Sequence, residues 1–345
     1  MAGTWYRFFV RLERPTRVVM VVAVLAALVA CGLDVLATGD GPGDGPDGAG
    51  SGDGAALDGS AADGAGFDDG SQVVLPPVPD PFLDAGLDVN PQNCLDGCDG
   101  GTCDGGWCVI DCSAQGSCQA NVQCPPGIPC DVRCSGLGSC TQGVDCTPAS
   151  ACRIGCTGQG ACVNKPVGCS GLGCKIDCAG LGSCTKGVDC DASTCSIACT
   201  GDGTCTNEAV TCNADICTIR CGVGKEVGKE SCSQGISCDT TQLCDIGCVA
   251  HNDCRNVPIT AHSDGTSIVQ CTGDATCTRG SILSGGEAGV LCTGGMGACG
   301  QKTYCDAGKC FAACENDDLT FCCKGGPPAC NTKAGKGCKI SDGGC

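Results

Sequence analysis

Residues 152–178 read CRIGCTGQGACVNKPVGCSGLGCKIDC, and this stretch decides the fold. It holds one complete unit and the start of the next. Four cysteine positions recur, here named a (Cys152, Cys174), b (Cys156, Cys178), c (Cys162) and d (Cys169). Working outward, b runs through Cys112, Cys134, Cys156, Cys178, Cys199, Cys221, Cys248, Cys271, Cys292 and Cys314, at intervals of 21 to 27 residues and mostly 22. Self-similarity at a fixed period is the signature of a repeat architecture.

Within the unit the spacing is that of strands. Between a and b the pattern is C-x-[IV]-x-C, with Ile110, Val132, Ile154, Ile176, Ile197, Ile219, Ile246, Val269, Val290 and Ala312 at its centre. Before d it is usually V-x-C, with Val122, Val144, Val167, Val188, Val210, Ile236 and Ile259. A period of two puts cysteine, branched residue and cysteine on one face of a short strand. The residues between them, such as Arg153, Lys175 and Asp177, then face water. Between b and c lie Gly-rich loops such as Ser-Gly-Leu-Gly-Ser at 135–139, suited to tight turns. A five-residue strand cannot bury its apolar face alone, so the units must stack. The fold expected is all-β: a disulfide-stapled β-solenoid of about nine coils, on the order of 45 Å long at ~4.8 Å per coil.

Two coils lack half of their cysteines. Aligned on their neighbours, Ala261 takes position d and Ser267 position a; in the next coil Leu283 takes d and Ala288 takes a. Paired loss implies paired cysteines. The expected d-to-a bridges are Cys124–Cys130, Cys146–Cys152, Cys169–Cys174, Cys190–Cys195, Cys212–Cys217, Cys238–Cys244 and Cys305–Cys310. Position b then pairs with c: Cys112–Cys118, Cys134–Cys140, Cys156–Cys162, Cys178–Cys184, Cys199–Cys205, Cys221–Cys232, Cys248–Cys254, Cys271–Cys277 and Cys292–Cys299. Bridges from d to d and from a to a between neighbouring coils would also vanish together where two adjacent coils are defective, so that pairing stays open.

The whole chain has 43 cysteines in 345 residues, a density typical of oxidising compartments. From residue 93 onward the only aromatic residues are Trp107, Tyr304, Phe311 and Phe321, so crosslinks must replace much of the usual core. Arg7, Arg11, Arg14 and Arg17 precede an apolar run, Val18 to Ala30, of signal-peptide length. The run ends Leu28-Val29-Ala30-Cys31. This resembles the lipobox of bacterial lipoproteins, which implies cleavage after residue 30 and lipidation of Cys31. Removing Cys31 leaves an even number of cysteines.

Residues 31–93 read as a lipidated, acidic Gly/Asp/Pro-rich tether that cannot pack. Residues 94–111 read as an N-terminal cap with Trp107 over the first coil, 112–314 as the solenoid, and 315–345 as a Cys-rich, disulfide-knotted C-terminal cap carrying Lys324, Lys333, Lys336 and Lys339. A net charge of −18 argues against nucleic acid as a partner.

No catalytic motif is present, and none of the spacings is C-x-x-C, the usual unit of a thiolate metal site. His251 and His262 lie in the irregular stretch 249–264 with no third metal ligand in sequence. No cofactor, metal site or catalytic residue is expected. The stapled coils resemble insect antifreeze proteins, but the residues flanking c are too irregular for an ice-matching array. The parallel β-helix of pectate-lyase-like enzymes is similar in outline only. In composition the chain resembles Cys-rich surface lipoproteins of the myxobacterial type. The expected function is non-catalytic: a lipid-anchored cell-envelope protein, at the outer membrane or cell surface, that binds an envelope polysaccharide or protein, adheres, or plays a structural part. The alternatives are a polysaccharide-acting β-helix enzyme and a metal-sequestering protein.

Overall fold

The computed structural model describes residues 94, 97–98, 100–222, 230–293, 298–300, 302–314, 319–323, 330–331 and 338–340. The signal segment, Cys31, the tether and the insertion at 223–229 lie outside the described residues, as do Lys324, Lys333 and Lys336.

The chain builds a β-solenoid of about nine coils over 108–314. β1 (Thr102–Asp104) and β2 (Trp107–Asp111) form an antiparallel hairpin, and β2 opens the parallel ladder, so stacking begins at Cys108. The next coils carry two short strands each: β3 (Val122–Gln123) and β4 (Cys130–Arg133), then β5 (Val144–Cys146) and β6 (Cys152–Gly155). From there each coil carries one long strand: β7 (Val167–Cys178), β8 (Val188–Cys199), β9 (Val210–Cys221), β10 (Ile236–Cys248), β11 (Ile259–Cys271), β12 (Ser281–Cys292) and β13 (Thr303–Cys314).

The difference between short and long strands has a chemical cause. In the first coils the d-to-a corner contains Pro125, Pro126 and Pro129, or Pro148, and proline has no N–H to give to a ladder. Later corners have no proline and stay paired through the bend, as in Ser170↔Asp191 and Gly171↔Ala192. The ladder also continues past Cys314. β14 (Leu319–Cys323) and β15 (Cys330–Asn331) pair with β13, and β16 (Cys338–Ile340) pairs with β14, all parallel. The segment expected as a knotted cap thus adds further strands to the stack.

Successive coils pair in parallel register, with bulges among the described residues only at the d-to-a corners near Thr240–Leu243 and Ser263–Thr266. Val132, Ile154, Ile176, Ile197, Ile219, Ile246, Val269 and Val290 form one continuous buried column. Val122, Val144, Val167, Val188, Val210, Ile236 and Ile259 form a second, which ends in the buried hydroxyl pair Ser281 and Thr303, 3.1 Å apart.

The sulfurs close the corners. Position d is bonded to the following a in Cys124–Cys130, Cys146–Cys152, Cys169–Cys174, Cys190–Cys195, Cys212–Cys217, Cys238–Cys244 and Cys305–Cys310. Position b is bonded to c from Cys112–Cys118 through Cys221–Cys232, with its insertion, to Cys292–Cys299. The hairpin adds Cys94–Cys103 and Cys98–Cys108. Bridges of this number belong to an exported protein folded under oxidising conditions.

Two backbone features of the b-to-c corner hold the coils close. All nine c cysteines, Cys118 to Cys299, have φ between 47° and 57°, a left-handed conformation that costs an L-residue about 1–2 kcal/mol. Glycine would adopt it freely, but only cysteine supplies the sulfur. Second, Gly136, Gly158, Gly180 and Gly201 lie against the preceding coil, where an added Cβ would sit 2.0–2.5 Å from a carbonyl oxygen. Gly158 and Gly180 donate their N–H groups to Cys134 and Cys156 one coil back. A side chain there would force the coils apart.

Candidate functional site

The inward face is filled by sulfur and branched side chains, so chemistry is confined to what points outward. On the a-to-b strands of the first coils, two outward columns run side by side. Asp131, Arg153 and Lys175 are in register in one; Arg133, Gly155 and Asp177 are in register in the other. Gly155 has no side chain where its neighbours do. The result is a surface depression of about 500 Å³ bounded by these residues with Ser135 and Thr157. A Cβ on Gly155 would meet nothing closer than 4.0 Å, and its backbone is not in the left-handed region.

The walls are polar and partly fixed. Arg133 donates to Asp131 through Nε at 3.0 Å and Nη2 at 2.7 Å. That hydrogen bonding, followed by the charge of Asp131, raises the guanidinium's pKa further. The guanidinium of Arg153 lies 4.3 Å from the centre of the Trp107 ring, a cation–π distance. Trp107 thus packs against a residue of a later coil. Burial raises the Asp177 pKa, and the charge of Lys175 partly offsets this.

Arg153 and Lys175 are like charges directly in register on neighbouring strands. Other cross-coil charge pairs have opposite signs: Lys186 with Glu208 at 3.5 Å, Lys309 with Glu287, and Arg220 with Asp245 at 2.5 Å. The last pair is two-pronged, sits on half-buried Arg220 and buried Asp245, and includes Gln270 at 3.4 Å. It has the marks of structural reinforcement.

The other outward face belongs to the V-x-C strands. It is lined by short polar side chains tied to one another, such as Thr211 to Asp189 at 2.7 Å and Asn213 to Asp191 at 3.2 Å. Further along, His262 Nδ1 lies 3.0 Å from Ser284 Oγ, and His262 Nε2 lies 3.7 Å from Asp264. Ile282 and Tyr304, in register and each more than 40% exposed, stand beside Ser284. His262, Asp264, Ile282 and Ser284 lie on the two coils without d-to-a bridges, and Tyr304 on the next, bridged coil. His262 and Ser284 are 22 residues apart and match no linear motif. The signal that could have found them is the repeat itself, since both follow position d. His251 lies in an exposed turn.

The cysteines gather in space as well as in sequence. In five places three sulfurs lie within 4.8 Å of one another: Cys112 with Cys134 and Cys140, Cys124 with Cys146 and Cys152, Cys134 with Cys156 and Cys162, Cys178 with Cys199 and Cys205, and Cys221 with Cys248 and Cys254. Each belongs to a disulfide, and exchange between neighbouring bridges would need a free thiolate to start it. Among the described residues no group of three metal-ligating side chains includes a histidine.

Comparison with known protein families, curated proteins and solved structures finds no match. The functional reading therefore rests on the geometry above.

Proposed function

We propose that this chain is a non-catalytic, lipid-anchored envelope protein whose solenoid is a rigid binding surface. In this reading Cys31 carries the lipid, the acidic segment up to residue 93 spaces the domain from the membrane, and the outward rows engage a polysaccharide or protein of the envelope. The observation that supports it best is the parallel register shared by successive coils along their a-to-b strands, which sets outward side chains in rows at coil spacing. Side chains held this way lose little freedom on binding, and an extended polymer can contact several coils at once. Two measurements test it. Cys31→Ser should move the protein to the soluble fraction and abolish fatty-acid labelling. The oxidised domain, immobilised, should retain envelope polysaccharide or protein; retention of nothing above a blank matrix contradicts a binding role.

A second reading is favoured by one observation, the 3.0 Å contact between His262 and Ser284. There His262 would take the proton of the Ser284 hydroxyl as its oxygen attacks an ester carbonyl on a polysaccharide substituent, then give that proton to the departing sugar oxygen as the C–O bond breaks, leaving an acyl-Ser284 that water hydrolyses. A fluorophosphonate probe should then label Ser284 in the native chain and fail on His262→Gln. No label on Ser284 excludes this reading.

A further inference from the structure

Of the c sulfurs, Cys118 alone is only partly buried; those from Cys140 to Cys299 are buried. Its bridge to Cys112 is the first of the b-to-c column. Cys112 itself is buried, so an incoming nucleophile reaches this bridge at Cys118. Behind that entry the sulfurs form a connected path. Cys112 lies within 4.8 Å of both sulfurs of the next bridge, Cys134–Cys140. Cys134 lies within the same distance of both sulfurs of Cys156–Cys162. Glycine at 136 and 158 lets the corners approach this closely, and both N–H groups bond to the Cys112 and Cys134 carbonyls one coil back. Among the described residues Cys156 makes no such triad with the bridge that follows, Cys178–Cys184, so the path ends there. Cys98 and Cys103 of the hairpin are also partly buried, but they belong to no sulfur triad.

We propose that Cys118 is a thiol-exchange site, where a low-molecular-weight thiol attaches covalently and is retained because the displaced thiolate is passed inward. The thiolate of the small molecule attacks Cys118 Sγ. The Cys112–Cys118 bond breaks, its electron pair leaves on Cys112, and a mixed disulfide forms at Cys118. A Cys112 thiolate left in place would attack that mixed disulfide and expel the small molecule again. Here it attacks Cys140, forming Cys112–Cys140 and releasing Cys134. Cys134 then attacks Cys162, forming Cys134–Cys162 and releasing Cys156, which takes up a proton. Each disulfide that breaks is replaced by one that forms, and one thiol enters as one is left behind, so no oxidant or reductant is consumed. The new bridges join neighbouring coils. A small thiol is the fitting reactant because the Cys118 sulfur is only partly exposed. This chemistry is independent of the binding and lipid-anchor readings above.

The test incubates the oxidised full chain with reduced glutathione at mildly alkaline pH. Acid quenching, alkylation with N-ethylmaleimide in denaturant and acidic digestion without reductant preserve the bonds for mass mapping. Glutathione should be found on Cys118, with Cys112 joined to Cys140, Cys134 joined to Cys162, and maleimide on Cys156. Cys184 and Cys205, buried in the same column, should carry no glutathione. No glutathione on Cys118 overturns the site. Glutathione on Cys118 with maleimide confined to Cys112 overturns the inward transfer. A double variant, Cys134→Ala with Cys140→Ala, removes the middle bridge and leaves no cysteine unpaired. Its glutathione occupancy at Cys118 should fall at least tenfold, because the Cys112 thiolate then stays beside the mixed disulfide. Unchanged occupancy overturns retention by transfer. The wild-type map decides the proposal even where the double variant fails to fold.

Discussion

Ser267 stands in register with Cys244 one coil away, and its buried hydroxyl has no hydrogen-bond partner among the described residues. Ala261 likewise matches Cys238. The bonded pair Cys238–Cys244 has a Cα separation of 6.3 Å and the same spacing in sequence. Ala261→Cys with Ser267→Cys should therefore restore the missing bridge. Mass mapping should find residues 261 and 267 joined, and the melting temperature should rise, because closing so short a loop contributes about 2 kcal/mol. Persistent alkylation of both new thiols in the oxidised protein would contradict the corner geometry.

Removing one cysteine should set a thiol moving. Cys146→Ser leaves Cys152 without its partner, and Cys152 lies within 4.8 Å of Cys124. Acid quenching followed by alkylation in denaturant should label Cys152 in freshly prepared protein. On incubation at alkaline pH the Cys152 thiolate should attack the Cys124 sulfur, form Cys124–Cys152 and release Cys130 as the new thiolate. Label should then spread to Cys130. Label confined to Cys152 after long incubation shows that the buried sulfurs cannot align for exchange.

Asp253 predicts how acid affects the domain. Its buried carboxylate accepts the N–H of Ala250 at 2.8 Å and that of Ser231, one coil back, at 3.1 Å. Burial outweighs those bonds and raises its pKa from 3.8 to about 6. The folded state thus binds a proton more tightly than the unfolded one. The contribution of this group is most favourable near pH 4 and below, and is lost as pH rises to about 6. With ~1.4 kcal/mol per pKa unit, the wild type should lose up to about 3 kcal/mol between pH 4 and 7 relative to Asp253→Asn. Denaturant titrations of both proteins across that range measure the difference. A constant difference would mean that Asp253 titrates normally.

Two glycines a turn apart should respond differently. At Gly180 an added Cβ would lie 2.0 Å from the Gly158 carbonyl oxygen, whereas at Gly182 it would meet nothing within 4 Å. Gly182 has φ of +62°, so alanine there costs only backbone strain, about 1 kcal/mol. Gly180→Ala must push neighbouring coils apart and should cost up to about 3 kcal/mol. Thermal unfolding in the absence of reductant should rank Gly180→Ala below Gly182→Ala. Equal losses would show that the coils yield more readily than packed backbone should.

The fold was legible because the repeat states it many times. Cysteines and branched residues alternate with period two, and the same alternation returns after about 22 residues, so strands and stacking follow from Cys152–Cys178 and its copies. The vacant corners were legible for the same reason, as Ala261 and Ser267 stand out against a regular background. Other features carried no such signal. The left-handed backbone at Cys118 through Cys299 is invisible in sequence, since cysteine there is required for its sulfur against its own conformational preference. The continuous strand through Ser170 and Gly171 was unreadable, because corner residues pair only when the next coil supplies partners. Neither could linear motifs bring Ser284 to His262, or Arg153 onto Trp107, since both contacts cross coils.

By itself the sequence determined the period, the inward set of side chains and the oxidising compartment, because all three are local properties of composition and spacing. Only the tertiary structure decided the outward neighbourhoods: which cations face each other, where a glycine opens a depression, and which sulfurs lie within reach of a neighbouring bridge. The physical reason is register. Shifting one coil by a single residue would turn its column inside out, and no residue's surroundings exist until the stack has chosen its alignment.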